Sequence, residues 1–488
     1  MMNARIWIAL SALALAACGG GDGAKLQATA AGSAAGTTSA SSTAAGAAPA
    51  LAVAESDEER GYNNREAGSY FNYYTPLTTG YSPQTIDGSG AASKLTFINY
   101  AFAITQSNSD GSHGCQLPWA YIDYGKPTSA AYSVDGQADQ PGQKLMGNLQ
   151  QFRKLKQKYP HLKLFLSVGG GGNGGYWFSA AAATPASRKA FVANCVKLLK
   201  GDLPTTTETD NYGEAGGPGA AAGVFDGIDI DWEYPGIAAG GRPYDAVNDK
   251  HNFTLLMREF RRQLNELSGY TGKDHYYLTY AGSVIFDKFA QTEALEVSHT
   301  VDWVNLMGYD FTAADWLPNG PTNFHANLYV DPASPTIAYN GVQARFDSDS
   351  GVKRYLAAGV SPRKLVLGVS YQGYGWGNVA AGNNHGLYQP AQGGANHIFG
   401  LDNMVWAIPY FLIEQLPGTV YHDPVTKSVW KYDEAGQNFI AFEDPETIAT
   451  KVQYARDLKL RGLFSWALDL DDYQTSLTTA MAKVRDKR

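Results

Sequence analysis

The stretch FDGIDIDWEYP, residues 225–235, places four carboxylates, Asp226, Asp229, Asp231 and Glu233, within eight residues of a run that otherwise reads as a buried strand. Burying one unpaired charge is costly, and burying several together costs more. A strand that carries them must recover that cost through chemistry. Side chains alternate across a strand, so Asp229, Asp231 and Glu233 share one face while Ile228, Ile230 and Trp232 share the other. Asp226 has the opposite parity to the acidic face and is expected to do structural work near the strand's start. Close like charges cannot all ionise, so some titrate upward. A glutamic acid raised in this way stays protonated near neutral pH and can act as a general acid. Two readings compete with this one: an acid network used only for packing, and a Ca²⁺ or Mg²⁺ site. There is no CxxC or HExxH spacing and no ligand spacing among the nine histidines, so neither a metal nor a cofactor is expected.

The strand belongs to a longer pattern. Short apolar strands alternate with amphipathic helices from Ser69 onward. The strands are read at SYFNYY (from Ser69), LTFINYAF (Leu95), LKLFLSVGG (Leu162), GVFDGIDID (Gly223), YYLTYAG (Tyr276), VDWVNLMGYD (Val301), KLVLGVSY (Lys364) and GLFSWALD (Gly462). Between them, Phe253, Leu256, Met257, Phe260, Leu264 and Leu267 keep helical spacing on one face, as do Leu145, Leu149, Phe152 and Leu155 before Pro160. Eight strands, most followed by a helix, argue for a (β/α)₈ barrel; a doubly wound sheet is the runner-up. In a barrel the apolar trio faces the helices. The acids then point inward, with Glu233 at the C-terminal mouth where barrel active sites lie. About 90 residues separate the seventh and eighth strands, more than one βα unit needs, so residues 373–440 read as an inserted subdomain. Its aromatics Tyr374, Trp376, Trp406 and Trp430 could wall a groove or fill the insertion's own core.

The ends and the composition narrow the class. Residues 1–17 read as a signal peptide: one Arg, an apolar run from Ile6 to Leu15, then small residues. Leu15-Ala16-Ala17-Cys18 resembles a lipobox, which would lipidate Cys18; ordinary cleavage near Ala17 is the alternative. Residues 18–60 are rich in Ala, Gly, Ser and Thr and cannot bury enough apolar surface to fold, so they read as a flexible tether before a catalytic domain at 61–488. Cys115 and Cys195 then form either one disulfide or two buried thiols. The net charge of −8 and the lack of any Lys/Arg stripe exclude a nucleic-acid groove. The glycine run VGGGGNGG at 168–175 holds a GxGxxG match, but no GK[ST] follows, so it reads as a loop after the third strand.

Asp226-x-x-Asp229-x-Asp231-x-Glu233, followed by Tyr234-Pro235, resembles the DxxDxDxE signature of family 18 glycoside hydrolases, the chitinases and their relatives. Ser167-Val168-Gly169-Gly170 resembles the family's SxGG motif, and Met307-Gly308-Tyr309-Asp310 its MxYD motif. Trp466 matches the Trp of the eighth strand and Phe102 the aromatic ending the second. The similarity spans about residues 66–488. It implies a retaining, substrate-assisted mechanism, the family being an exception to the two-carboxylate scheme. Glu233 would protonate the glycosidic oxygen, and the substrate's own 2-acetamido carbonyl would attack the anomeric carbon. Asp231 would orient the acetamido N–H, and Asp229 would share a proton with Asp231. Tyr309 would bond the acetamido oxygen, Asp310 and Met307 would line the sugar site, and Trp466 would floor it. Phe102, Trp177 and Tyr234 are further candidate sugar contacts. The resemblance also implies an α+β insertion between strands seven and eight.

The reading is therefore a bacterial chitinase, secreted or tethered to the cell surface, acting on chitin or chitooligosaccharides. It is expected to be a monomer, bound to a membrane only through Cys18. Two other functions remain: an endo-β-N-acetylglucosaminidase acting on N-glycans, and a non-catalytic sugar-binding lectin. Lectins of this type lose the acid at the Glu233 position, and this chain keeps it.

Overall fold

The computed structural model describes residues 65–486, apart from 340–341, 397 and 399–404. The signal segment 1–17, Cys18 and the tether to residue 60 lie outside the described residues. Eight strands run parallel: β1 (Glu66–Asn72), β2 (Phe97–Ser107), β3 (Lys163–Gly169), β4 (Gly227–Asp231), β5 (Tyr277–Ser283), β6 (Trp303–Met307), β7 (Leu365–Ser370) and β8 (Gly462–Trp466). Each pairs with its neighbour, and β1 pairs with both β2 and β8, so the sheet closes as a (β/α)₈ barrel. Closure removes the exposed edges that an open sheet must protect.

The helices form where the apolar spacing and the caps agree. Thr184 caps Pro185–Lys200 by accepting from Ser187 N, with Pro185 at the first position. Asp444 caps Pro445–Asp457 by accepting from Glu446 N and Thr447 N. The long helix Asp249–Thr271 buries Phe253, Leu256, Met257, Phe260, Leu264 and Leu267, and ends at Gly272 in a left-handed conformation.

Inside the barrel, the N-terminal end is plugged by rings. Phe97, Phe165, Tyr277 and Trp303 come from four strands and meet with centroids 5.2 to 5.7 Å apart. The Arg461 guanidinium lies 4.6 Å from the Trp303 ring and bonds Glu66 at 3.2 Å. Water is thereby kept from entering the barrel from below. Asp226 sits just before β4, outside the strand. It takes Lys156 at 2.7 Å and Lys273 at 2.5 Å, and accepts from Leu164 N at 2.8 Å, pinning the start of β4 to β3.

Two elaborations rise at the C-terminal end. β2 runs past the barrel and pairs antiparallel with the strand His113–Gln116, a hairpin not anticipated from sequence. Cys115 on that strand is disulfide-bonded to Cys195 on the helix Pro185–Lys200. Between β7 and β8 the chain forms a five-stranded antiparallel sheet, in the order Ala407–Pro409, Gln372–Trp376, Asn438–Phe442, Ser428–Asp433 and Thr419–Asp423. It is anchored by a buried ion pair between Lys451 and Glu443; Lys451 also donates to Ala326 O at 2.7 Å, and Glu443 accepts from Ser370 N at 2.7 Å. Removing either partner would leave a buried charge unpaired. Of the two readings open for the insertion's aromatics, Trp376 and Trp430 take the core: they are buried in the sheet's own apolar cluster. Among the described residues no helix is long and apolar enough to cross a membrane.

The disulfide closes a loop of 80 residues, for which the chain-entropy relation gives about 4 kcal/mol. The double variant C115S/C195S is expected to lose most of that in urea unfolding. A midpoint equal to the parent's would show that the bridge does not stabilise the fold.

Candidate active site

The four strand positions singled out in sequence divide as the alternation requires. Ile228 and Ile230 are fully buried, and Trp232 stacks on Phe178 at 5.4 Å and meets Phe253 edge-on at 5.9 Å, all on the helix side. Asp229 and Asp231 point into the barrel, and Glu233 lies just beyond the end of β4.

Asp229 is the most fully bonded group in the barrel. Its Oδ2 accepts from Tyr70 Oη (2.9 Å), Ser167 Oγ (3.0 Å) and Asn99 Nδ2 (3.2 Å); its Oδ1 accepts from Thr279 Oγ1 (2.5 Å) and Asn305 Nδ2 (3.1 Å). The donors come from β1, β3, β2, β5 and β6 in turn. Burial pushes its carboxyl up, and these bonds offset only part of that rise.

Asp231 stands in a different environment. Burial raises its carboxyl well above the ordinary range, and the nearby Glu233 and Asp229 raise it further. It shares a hydrogen bond with Glu233. The resemblance implied a proton shared between Asp229 and Asp231; here Asp229 is saturated by neutral donors, and Asp231 turns to Glu233 instead. The second Asp231 oxygen, Oδ1, is buried with no hydrogen-bond partner. Burial raises Glu233 as well, opposed by the Lys288 and Arg242 charges and by bonds from Tyr234 and Asp231. Its carboxyl faces Gly171, whose Cβ position would lie 3.7 Å from Glu233 Oε1.

The motif glycines are there for close approach. Gly169 has φ +113°, and a Cβ there would meet Asp231 O at 2.2 Å; one at Gly170 would meet the Phe102 ring at 2.8 Å. Gly170 N donates to Asp231 O at 2.9 Å, so β3 is locked to the acidic strand at the mouth. Trp466 and Phe102 stack at 5.8 Å and 17°, and Tyr70 lies 5.3 Å from Trp466, making an aromatic floor from β8, β2 and β1. The peptides 101–102, 233–234 and 466–467, following Ala101, Glu233 and Trp466, are cis.

From β6 come Met307, half-buried at the strand end, then Tyr309 and Asp310. Burial and four nearby acids hold the Tyr309 phenol well above its usual value, so it remains a donor. Asp310, at φ +60°, accepts from Tyr374 Oη of the insertion at 3.0 Å. Protein around it pushes the Asp310 carboxyl up to about 7. The side chain is 47% exposed to the cleft, so water there holds the shift lower until a ligand displaces it. His325, 4.0 Å away and 1% exposed, is pushed down to about 3 by burial and by Lys451, and is therefore neutral.

Trp177 lies after β3, just before the helix Phe178–Ala182. One face stacks on His113 at 4.9 Å, and its N–H on the main chain bonds Thr105 Oγ1 at 3.0 Å. Tyr234 is half-buried, with the Lys288 ammonium 4.6 Å from its ring centre. Arg242 was not anticipated; it donates to Glu233 O (2.7 Å) and Gly172 O (2.9 Å), tying the loops after β4 and β3 together. Tyr70, Asn99, Thr279 and Asn305 were also missed, although each is a polar residue of inward parity in an apolar strand. Nothing in sequence marked Arg242 or Lys288. Among the described residues no group of three His, Cys, Asp or Glu could hold a metal ion.

The arrangement offers one acid at the mouth that burial makes slower to lose its proton, one buried acid with an open acceptor, one phenolic donor and an aromatic floor. Substitution of Asp229 by Ala would leave five buried donors unpaired and is expected to cost about 3–5 kcal/mol in guanidinium unfolding. A loss below about 1 kcal/mol would show that the network does not hold the barrel.

The profile for glycosyl hydrolases family 18 matches residues 69–471. Chitinase C of Streptomyces lividans is 31% identical over 416 residues, covering 82% of this chain and 56% of that protein. The chain thus spans just over half the length of the curated relatives it matches. Among solved structures, the catalytic domain of psychrophilic chitinase B from Arthrobacter TAD20 superposes with a TM-score of 0.77 and 32% identity, over 87% of this chain and 96% of that one. A class V chitinase from Nicotiana tobaccum, solved in complex with NAG4, gives 0.63 and 25%, over 86% and 98%. With the acidic strand in the barrel, the two glycine and tyrosine motifs beside it and a match across most of its length, the chain belongs to glycosyl hydrolase family 18.

Proposed function

We propose that this protein is a chitinase that cuts β-1,4 linkages between N-acetylglucosamine units with retention of configuration. The observation that carries the reading is the graded environment of three carboxylates on one strand face. Asp229 is saturated by five donors, Asp231 keeps one buried acceptor open, and Glu233 is raised. An open acceptor in a water-poor site favours a ligand that brings its own N–H, and an acetamido group does. Tyr309 supplies the matching donor for the acetamido oxygen. That oxygen can then attack the anomeric carbon from the floor side while Glu233 gives its proton to the leaving oxygen. Once Glu233 has given up its proton, the Asp231–Glu233 pair carries the negative charge that stabilises the oxazolinium ion as it forms. Glu233, now a carboxylate, takes a proton from water, which opens the ring of that intermediate on the same face. The names of the relatives, and the NAG4 bound by the tobacco enzyme, favour chitin over an N-glycan core.

We infer that the protein is exported. The leader-like sequence and the Cys115–Cys195 bridge both suit an oxidising compartment. Cys18 is the proposed site of lipid attachment, which would leave the barrel on a tether at a bacterial surface. Expression of C18S in a bacterium with the lipoprotein pathway should move the protein from the membrane fraction to a soluble one; unchanged fractionation would refute the anchor.

Three measurements test the catalytic reading. Wild-type protein should shorten chitin oligomers and leave a high-mannose glycoprotein intact, and the first product seen by NMR should be the β-anomer. The reverse substrate preference, or an initial α-anomer, would overturn it. Glu233→Gln should lower kcat at least about 100-fold. Arg242 lowers the pKa of Glu233, so Arg242→Gln should let Glu233 keep its proton to higher pH. The alkaline limb of the kcat/KM profile should then move to higher pH; a fixed or lowered limb would remove Glu233 from the acid role.

A further inference from the structure

Lys288 follows β5 and sits between two rings, with its ammonium 4.6 Å from the Tyr234 centroid and 5.6 Å from that of Tyr339. No salt bridge within 4.0 Å engages it among the described residues. Tyr234 directly follows Glu233, and the ammonium acts on both Glu233 and Asp310. The aromatic floor of Tyr70, Phe102 and Trp466 comes from β1, β2 and β8, on the far side of the barrel mouth from β5. If a sugar rests on that floor with its linkage oxygen at Glu233, the sugar being released lies toward Lys288. That placement rests on the chitinase reading above.

We propose that Lys288 is a charge filter at the leaving-group position. It admits a neutral N-acetylglucosamine unit and repels a glucosamine unit, whose free amine is a cation at mildly acidic pH. The other groups facing the ammonium are Glu233 and Tyr234 from the loop after β4, Asp310 from the end of β6, and Tyr339 from the strand Ile337–Tyr339. Both acids titrate upward, so the anionic charge that offsets Lys288 falls as the pH is lowered. Arg242, beside Glu233, adds to the same sign. Two like charges several ångströms apart in a half-hydrated cleft repel by an amount worth about tenfold in selectivity. A specificity built on repulsion leaves the preferred sugar's contacts untouched.

The test is the identity of new non-reducing ends in hydrolysates of partially acetylated chitosan, since the leaving-group sugar becomes that end. Wild type at mildly acidic pH should produce almost only N-acetylglucosamine ends. Lys288→Met should raise the glucosamine share about five- to tenfold, and Lys288→Arg should restore the wild-type share. At mildly alkaline pH, where the amine is neutral, wild type and Lys288→Met should converge. An equal glucosamine share in wild type and Lys288→Met overturns the filter, as does an arginine variant that behaves like the methionine one. Wild type that cuts no acetylated unit refutes the chitinase reading, and the filter with it.

Discussion

One buried carboxylate organises the barrel. Asp229 draws donors from five strands to two oxygens, so the strands' relative positions are fixed by a shared charge as well as by the backbone ladder. Charge-assisted bonds are among the stronger ones in a dry interior, and all five would be orphaned together. The ring plug beneath, built from Phe97, Phe165, Tyr277 and Trp303, keeps this layer dry from below. The layer above can then tolerate an incomplete bonding pattern at Asp231, because its support is already rigid.

From that base, two residues of spacing along one strand change the chemistry of each acid. Asp229 is saturated, Asp231 is half-satisfied, and Glu233 reaches the opening where Lys288 and Arg242 moderate its burial. The cations come from the segments that follow β4 and β5, Lys288 on the short helix Phe286–Ala290, and the acids come from the strand or its immediate end. The rigid element therefore sets where protons are held, while those segments set how tightly. That division lets one scaffold keep its chemistry while residues beyond the strands adjust the working pH and the sugars admitted.

The barrel, its strand order and the inward face of the acidic strand were legible because period-two alternation is local. The residues from Ile228 to Glu233 carry their own orientation once the fold class is known. The polar layer around Asp229 was written less plainly. Tyr70, Asn99, Thr279 and Asn305 each interrupt an apolar strand at an inward position, but only closure shows that they converge on one carboxylate. Arg242 and Lys288 were illegible, since the path of the chain beyond β4 and β5 decides what each cation faces. The insertion's aromatics were open between groove wall and core: Trp376 and Trp430 serve a small sheet's own core, while Tyr374 reaches across to Asp310.

The bridge between Cys115 and Cys195 links the hairpin that extends β2 to a helix on the outside of the barrel. Neither the acidic strand nor its polar layer includes these sulfurs. A chain made and kept under reducing conditions would complete its interior while one rim of the mouth stayed unfastened. Recombinant preparations from a reducing cytosol and from an oxidising one are thus two different materials, alike in spectrum and unequal in how long that rim endures.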